Sequence, residues 1–83
     1  MIKVRLIRGA RALLAWSQDE LADKAGISRP TVQRIEAAGD DDVPPTTAAT
    51  IAAIETAFTD AGISWRDDAK ECGVWLAKGK AKR

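Results

Sequence analysis

Apolar side chains recur every three or four residues along the first part of the chain, the spacing of helices buried on one side. This pattern predicts a helix over residues 4–15, with Ile7, Ala10 and Leu14 facing inward. Two shorter apolar stripes follow. Gly26 separates them, because a glycine can take the left-handed conformation that ends a helix.

Serine residues precede both short stripes and predict where the helices begin. The letters SQDE at residues 17–20 match a capping box, and Ser28 is the expected cap of the next helix. With Ser28 as the cap, Pro30 becomes the second helical residue, where its missing amide proton has no acceptor inside the helix. This third helix should run to about Ala38.

A fourth helix is predicted from a stripe of Ile51, Ile54 and Phe58, capped by Thr46 or Thr47 and ending at Gly62. The letters ISWR and GVWLA then form two short segments rich in β-branched and aromatic residues, which favour a hairpin. The chain therefore divides into a helical domain at 1–62, a hairpin at 63–77 and a basic tail at 78–83.

Composition limits the classes of function. The 83 residues hold one cysteine, Cys72, and no histidine, so one chain can build neither a disulfide framework nor a Cys/His zinc site. No set of side chains resembles a catalytic constellation. We therefore expect no metal, no cofactor and no enzymatic activity. Charges interrupt the apolar stretch of residues 2–16, so we expect no membrane span or signal peptide and a cytoplasmic protein.

The formal net charge of +1 hides a segregated pattern. Residues 1–34 hold seven Lys or Arg against three Asp or Glu, residues 35–71 hold two against nine, and residues 72–83 hold four against none. The basic residues therefore concentrate at the two ends of the sequence.

Two short helices joined by a glycine turn, the second with polar side chains facing outward, make a helix-turn-helix arrangement. The segment SQDELADKAGISRPTVQRIEAAG at residues 17–39 resembles the Cro/C1 type of helix-turn-helix, also called the Xre family, and the resemblance extends over residues 4–58. It implies a mainly α, lambda-repressor-like domain of four or so helices, with the short hairpin added at its C-terminal end.

The resemblance implies a role for each matching position. Arg29, Pro30, Thr31 and Arg34 correspond to the positions that face base edges, and arginine can donate two hydrogen bonds to guanine. Gln18 corresponds to the family's phosphate-binding glutamine. Lys24 and Gln33 are further candidates for phosphate contacts, which position a protein without reading sequence.

Arg11 and Glu36 stand where the family has a buried ion pair between the first and third helices, which is a structural role. The run of Asp40, Asp41 and Asp42 departs from the family, because carboxylates near phosphates would weaken binding. That run either swings away from DNA, limits affinity or meets a protein, and the plain alternative, which we favour, is a solvated loop.

The hairpin must cover a surface, since an isolated hairpin is marginal in water. Either the chain's own helices or a second subunit could supply that surface. We favour a homodimer interface formed by Trp65, Val74, Trp75 and Leu76. In the tail, Lys78, Lys80, Lys82 and Arg83 could contact phosphates or simply keep the protein in solution.

These observations favour a sequence-specific binder of a double-stranded DNA operator, acting as a homodimeric transcriptional repressor of prokaryotic or phage type. An alternative is the antitoxin of a toxin-antitoxin pair, which binds its own promoter and holds a toxin as its protein partner. A third possibility is a protein-interaction module that keeps the fold without binding DNA.

Overall fold

The computed structural model describes residues 1–78 and consists of four helices followed by a two-stranded antiparallel sheet. It confirms the predicted fold class. The elements are α1 (Val4–Leu14), α2 (Gln18–Ala25), α3 (Arg29–Glu36), α4 (Ala48–Asp60), β1 (Ile63–Asp67) and β2 (Cys72–Leu76).

Side-chain caps begin three of the helices, as the sequence predicts. Ser17 Oγ accepts a hydrogen bond from the Glu20 amide at 3.1 Å, and Glu20 Oε1 accepts one from the Ser17 amide at 2.9 Å, which completes the capping box. Ser28 and Thr47 cap α3 and α4 in the same way. These caps satisfy amides that have no partner within their helices, so they fix where each helix begins.

Two helices end earlier than the sequence predicts. Helix α1 stops at Leu14, because Ala15 takes a left-handed conformation with φ of 56° and turns the chain without a glycine. Helix α3 stops at Glu36, and the Ala38 amide donates instead to the Ile35 carbonyl in a tighter turn. Helix α4 begins after Thr47 rather than Thr46 and ends at Asp60.

One apolar core joins all four helices and the hairpin. Trp16 covers the edge of this core, where its ring stacks on that of Phe58 with 5.9 Å between the ring centroids. The largest fully buried side chains come from every helix and from the segment before α1: Ile2, Val4, Ile7, Leu21, Val32, Ile35, Ile54 and Phe58.

The hairpin packs one face on its own chain. Strand register pairs Trp65 with Val74 and Ile63 with Leu76, and all four side chains pack on the helical core. Trp65, Val74 and Leu76 therefore cover the chain's own helices, one of the two surfaces that the sequence left open, and their part in a subunit interface stays a prediction. Trp75 lies on the opposite face and is 52% exposed.

The approach of the hairpin to α1 depends on Gly9. A Cβ atom at this position would lie 3.0 Å from Val74 Cγ1, which is closer than carbon atoms normally approach. The absence of a side chain at Gly9 therefore sets how near β2 lies to α1.

At the far end of the hairpin, the amides of Lys70 and Glu71 donate to the Asp68 carboxylate and lower the pKa of that group.

Within residues 1–78, no helix has the length and apolar character needed to cross a bilayer. Lys78 is exposed, whereas Lys80, Lys82 and Arg83, which complete the predicted basic tail, lie outside the described residues. The possible phosphate contacts of this tail remain a prediction.

We expect Gly9→Leu to destabilise the domain by about 1–3 kcal/mol, because the added side chain must displace Val74 and with it the docked hairpin. Urea unfolding followed by tryptophan fluorescence would measure this change. The control is Ala12→Leu, which places the same side chain at an exposed position of the same helix. Equal midpoints for the two variants would show that the hairpin does not pack closely on α1.

Candidate nucleic-acid interface

Helices α2 and α3 are joined by a three-residue turn, Gly26 to Ser28. Gly26 has a φ of 69°, and its amide donates to the carbonyls of the last turn of α2. A residue with a Cβ atom would be strained in this conformation. The glycine therefore lets the second helix start at once in a new direction, as a helix-turn-helix requires.

Helix α3 has a buried side and an outward side. Val32 and Ile35 are each 1% exposed and anchor the helix in the core. Arg29, Pro30 and Arg34 are exposed on the outward side. Four predicted base-reading residues therefore belong to one short helix, with three of their side chains exposed and that of Thr31 half-buried.

The two arginines differ in their surroundings. Arg29 Nε lies 3.4 Å from Asp19 Oδ1 at the start of α2, and both side chains are more than half exposed. Arg34 makes no ion pair with any residue in the described part of the chain. Both guanidinium groups therefore keep donors that can reach an acceptor outside the protein.

Thr31 is less free than its neighbours. Its hydroxyl lies 2.8 Å from Ser28 Oγ, and its amide donates to the same oxygen at 3.3 Å. Because a hydroxyl has one donor and two acceptor sites, Thr31 keeps some bonding capacity, and its methyl group remains an apolar contact.

The predicted phosphate-contacting residues lie on α2 and α3. Lys24 and Gln33 are exposed, whereas Gln18 is half-buried. Gln18 Nε2 donates to Glu36 Oε1 at 3.1 Å, which holds the side-chain amide against the end of α3. An amide nitrogen has two hydrogens, so this contact leaves one donor of Gln18 for a phosphate.

The Glu36 carboxylate links three helices. It accepts hydrogen bonds from Arg11 Nε and Arg11 Nη2, both at 2.9 Å, in a bidentate ion pair, and one from Gln18 Nε2, at the first residue of α2, at 3.1 Å. The side chain of Glu36 is only 6% exposed and that of Arg11 24%. The buried charge is therefore matched by donors from α1 and α2.

The sequence model of the helix-turn-helix family matches residues 7–58, from within α1 to within α4. This span covers more than half of the chain. The chain belongs to the helix-turn-helix family. It is of the Cro/C1 type, as the sequence resemblance indicated, and it is therefore a DNA-binding regulator. No curated protein matches the chain.

In this helix-turn-helix domain the acidic run, Asp40 to Asp42, makes hydrogen bonds and ion pairs to helix α1. The Val4 and Arg5 amides, which have no side-chain cap, donate to the carbonyls of Asp42 and Asp40 at 3.2 and 3.0 Å. Asp40 pairs with Arg8, and Asp41 lies 3.2 Å from Arg5. The loop therefore caps α1 and places two of its carboxylates against arginines of the same chain.

Asp42 has a local role instead. Its Oδ2 accepts from the Gly39 amide at 2.9 Å, and its own amide donates to the Gly39 carbonyl, so the loop closes on itself. All three aspartates are exposed, so the loop is solvated, but its backbone and the carboxylates of Asp40 and Asp42 have partners within the chain.

Sequence reasoning missed one residue that supports α3. Arg8 Nη1 donates to the Glu36 carbonyl at 2.7 Å, so Arg8 and Arg11 together hold the end of the recognition helix. The two arginines are three residues apart and therefore share one face of α1. That spacing was the available signal, because the family resemblance already places Glu36 opposite Arg11.

Glu36→Ala should destabilise the domain by about 3–5 kcal/mol, since it leaves the Arg11 charge partly buried without its partner. Urea unfolding would measure this loss, with Glu20→Ala as a control that removes a carboxylate from an exposed cap. The cap variant should lose about 1 kcal/mol.

A second variant separates the buried charge from the lost contacts. Arg11→Met combined with Glu36→Met removes both charges, so it should recover part of the stability lost in Glu36→Ala. A Glu36→Ala protein as stable as the wild type would refute the structural role of this ion pair.

Proposed function

We propose that this helix-turn-helix protein binds a specific double-stranded DNA operator as a homodimer and represses transcription by occupying it. Repression of this kind needs no chemistry. It needs a helix that reads base edges, contacts that hold the protein on the duplex and a second subunit that matches a two-fold site.

The outward side of α3 is the observation that supports the proposal most. Arg29 and Arg34 are exposed there, and the carboxylate of the helix, Glu36, is buried and paired. Each arginine can donate a bidentate pair to guanine, a contact worth about 1–3 kcal/mol of discrimination. Pro30 adds an apolar surface, and Thr31 a methyl group, that suit a thymine methyl.

Phosphate contacts would come from the flanks of α3. Gln18 is held in place by Glu36 and can direct its remaining amide hydrogen to a phosphate. Lys24 and Gln33 are exposed on α2 and α3. These three residues would set the position of the domain, while Arg29 and Arg34 select the sequence.

The protein-interaction alternative loses part of its support. It rested on the modest net charge and on the acidic run, and the carboxylates of Asp40 and Asp41 pair with Arg8 and Arg5 of the same chain. The antitoxin alternative keeps the same DNA contacts and adds a protein partner, so a toxin gene beside this one would favour it.

The homodimer rests on the outer face of the hairpin. Trp75 is 52% exposed there, and a tryptophan is the kind of large side chain that anchors subunit interfaces. The domain 1–62 would read DNA, and the hairpin 63–77 would join the copies through Trp75. A two-fold operator then needs recognition helices about 34 Å apart.

Selection of bound sequences from random duplex DNA tests the DNA-reading proposal. We expect the wild type to enrich a two-fold site, and Arg29→Ala and Arg34→Ala each to relax the preference at different base pairs by about 1–3 kcal/mol. Gln33→Ala is the control, because loss of a phosphate contact should weaken all sequences about equally. Failure of the wild type to enrich any site would favour the interaction module.

Sedimentation at micromolar concentration tests the dimer. The wild type should sediment at twice the chain mass of 8.9 kDa, and Trp75→Arg should sediment as a monomer that binds the operator more weakly. Val43→Arg is a matched control, since Val43 is also 52% exposed but lies in the loop before α4. A monomeric wild type, with Trp75→Arg binding as tightly as the wild type, would contradict the hairpin interface.

A further inference from the structure

Asp19 occupies an unexpected place for an acidic side chain in a DNA-binding domain. It lies in the first turn of α2, next to Gln18, and its carboxylate is 66% exposed. A negative charge at this edge would repel a phosphate backbone and so weaken binding to DNA of any sequence. The same charge is favourable at the N-terminal end of α2, and it also lies beside an arginine of the recognition helix.

The structure offers a partner for that charge. Asp19 Oδ1 lies 3.4 Å from Arg29 Nε, so the ion pair joins the starts of α2 and α3. An exposed ion pair contributes little to folding stability. Any effect of the Asp19–Arg29 pair is therefore on the placement of the Arg29 side chain rather than on the stability of the fold.

The nitrogen that Asp19 contacts determines what Arg29 can still do. Nε is the guanidinium nitrogen nearest the backbone. A carboxylate that contacts Nε leaves the two terminal nitrogens, Nη1 and Nη2, for another acceptor. Two terminal nitrogens can donate together to O6 and N7 of one guanine. The pair, an electrostatic contact at 3.4 Å, draws the Nε side of the guanidinium toward Asp19 and leaves the terminal nitrogens for an acceptor on DNA.

We propose that Asp19 is a positioning residue that holds Arg29 ready to read one guanine, and that it raises specificity at the expense of overall affinity. This inference rests on the proposed DNA-reading function. Ordering a long side chain before binding reduces the entropy lost on binding, which favours the correct site. The repulsion of phosphates weakens binding to every sequence about equally, so it lowers overall affinity without changing the ratio. Only the ordering of Arg29 raises the ratio of specific to non-specific affinity.

The pairing also distinguishes the two arginines. Arg34 makes no ion pair within residues 1–78, so its side chain must be ordered on contact with DNA. The inference therefore predicts that removal of the Asp19 charge affects the base pair read by Arg29 and leaves the one read by Arg34 unchanged.

The test compares binding to the selected operator and to a random duplex of equal length at one salt concentration, by fluorescence anisotropy. Asp19→Asn should bind the random duplex more tightly and lower the specificity ratio about threefold to tenfold, the effect of ordering one long side chain. The loss should be confined to the base pair that Arg29→Ala relaxes. Asp19→Glu, which restores the carboxylate, should recover part of the ratio.

The control is Asp23→Asn, which removes the same charge from an exposed position of the same helix. Asp23 makes no ion pair with the described residues, so this variant should tighten binding to both duplexes about equally. The double variant Asp19→Asn with Arg29→Ala should have the same ratio of operator affinity to random-duplex affinity as Arg29→Ala alone. The reason is that Asp19→Asn acts on this ratio only through Arg29.

The outcomes separate this inference from the proposed function. If Asp19→Asn behaves like Asp23→Asn and the ratio is unchanged, Asp19 is only a surface charge and the inference is wrong, while the DNA-reading function stands. If the wild type prefers no sequence over the random duplex, the proposed function fails and the inference fails with it.

Discussion

The buried carboxylate of Glu36 is the interaction on which the geometry of the DNA-reading helices depends. Helices of eight residues, such as α2 and α3, are not stable alone in water, so tertiary contacts must hold them. Glu36 is the last residue of α3, and it accepts hydrogen bonds from Arg11 on α1 and Gln18 on α2. One side chain therefore fixes the end of the recognition helix to both preceding helices.

Burial of this charge is costly, and the hydrogen bonds explain why the site still forms. A carboxylate removed from water needs donors at its oxygens, which Arg11 and Gln18 supply. Apolar contacts such as those of Val32 and Ile35 hold the helix in the core but tolerate small rotations. Directional hydrogen bonds to a single carboxylate do not tolerate such rotations. A recognition helix needs this fixed orientation, because its arginines must be placed against base edges.

The parts that the sequence predicted are those decided by local chemistry. Ser17, Gly26 and Ser28 act on neighbouring backbone groups, so the bounds of α2 and the start of α3 follow from short motifs. The docked hairpin and the Asp19–Arg29 pair join residues distant in sequence, and no local pattern specifies which elements meet. The Arg11–Glu36 assignment came from the family resemblance, which carries three-dimensional information that composition and spacing do not.

The folded chain also changes the meaning of its charge pattern. Along the sequence, Asp40 and Asp41 belong to an acidic segment and Arg5 and Arg8 to a basic one, but the fold places these opposite charges together. Charges paired in this way contribute little to attraction at a distance. The electrostatics of the interface therefore depend on α2 and α3. Helix α3 exposes Arg29 and Arg34 and buries Glu36, whereas α2 exposes Asp19, Glu20 and Asp23 as well as Lys24. A net charge of +1 is compatible with DNA binding because the exposed face of α3 carries positive charges only.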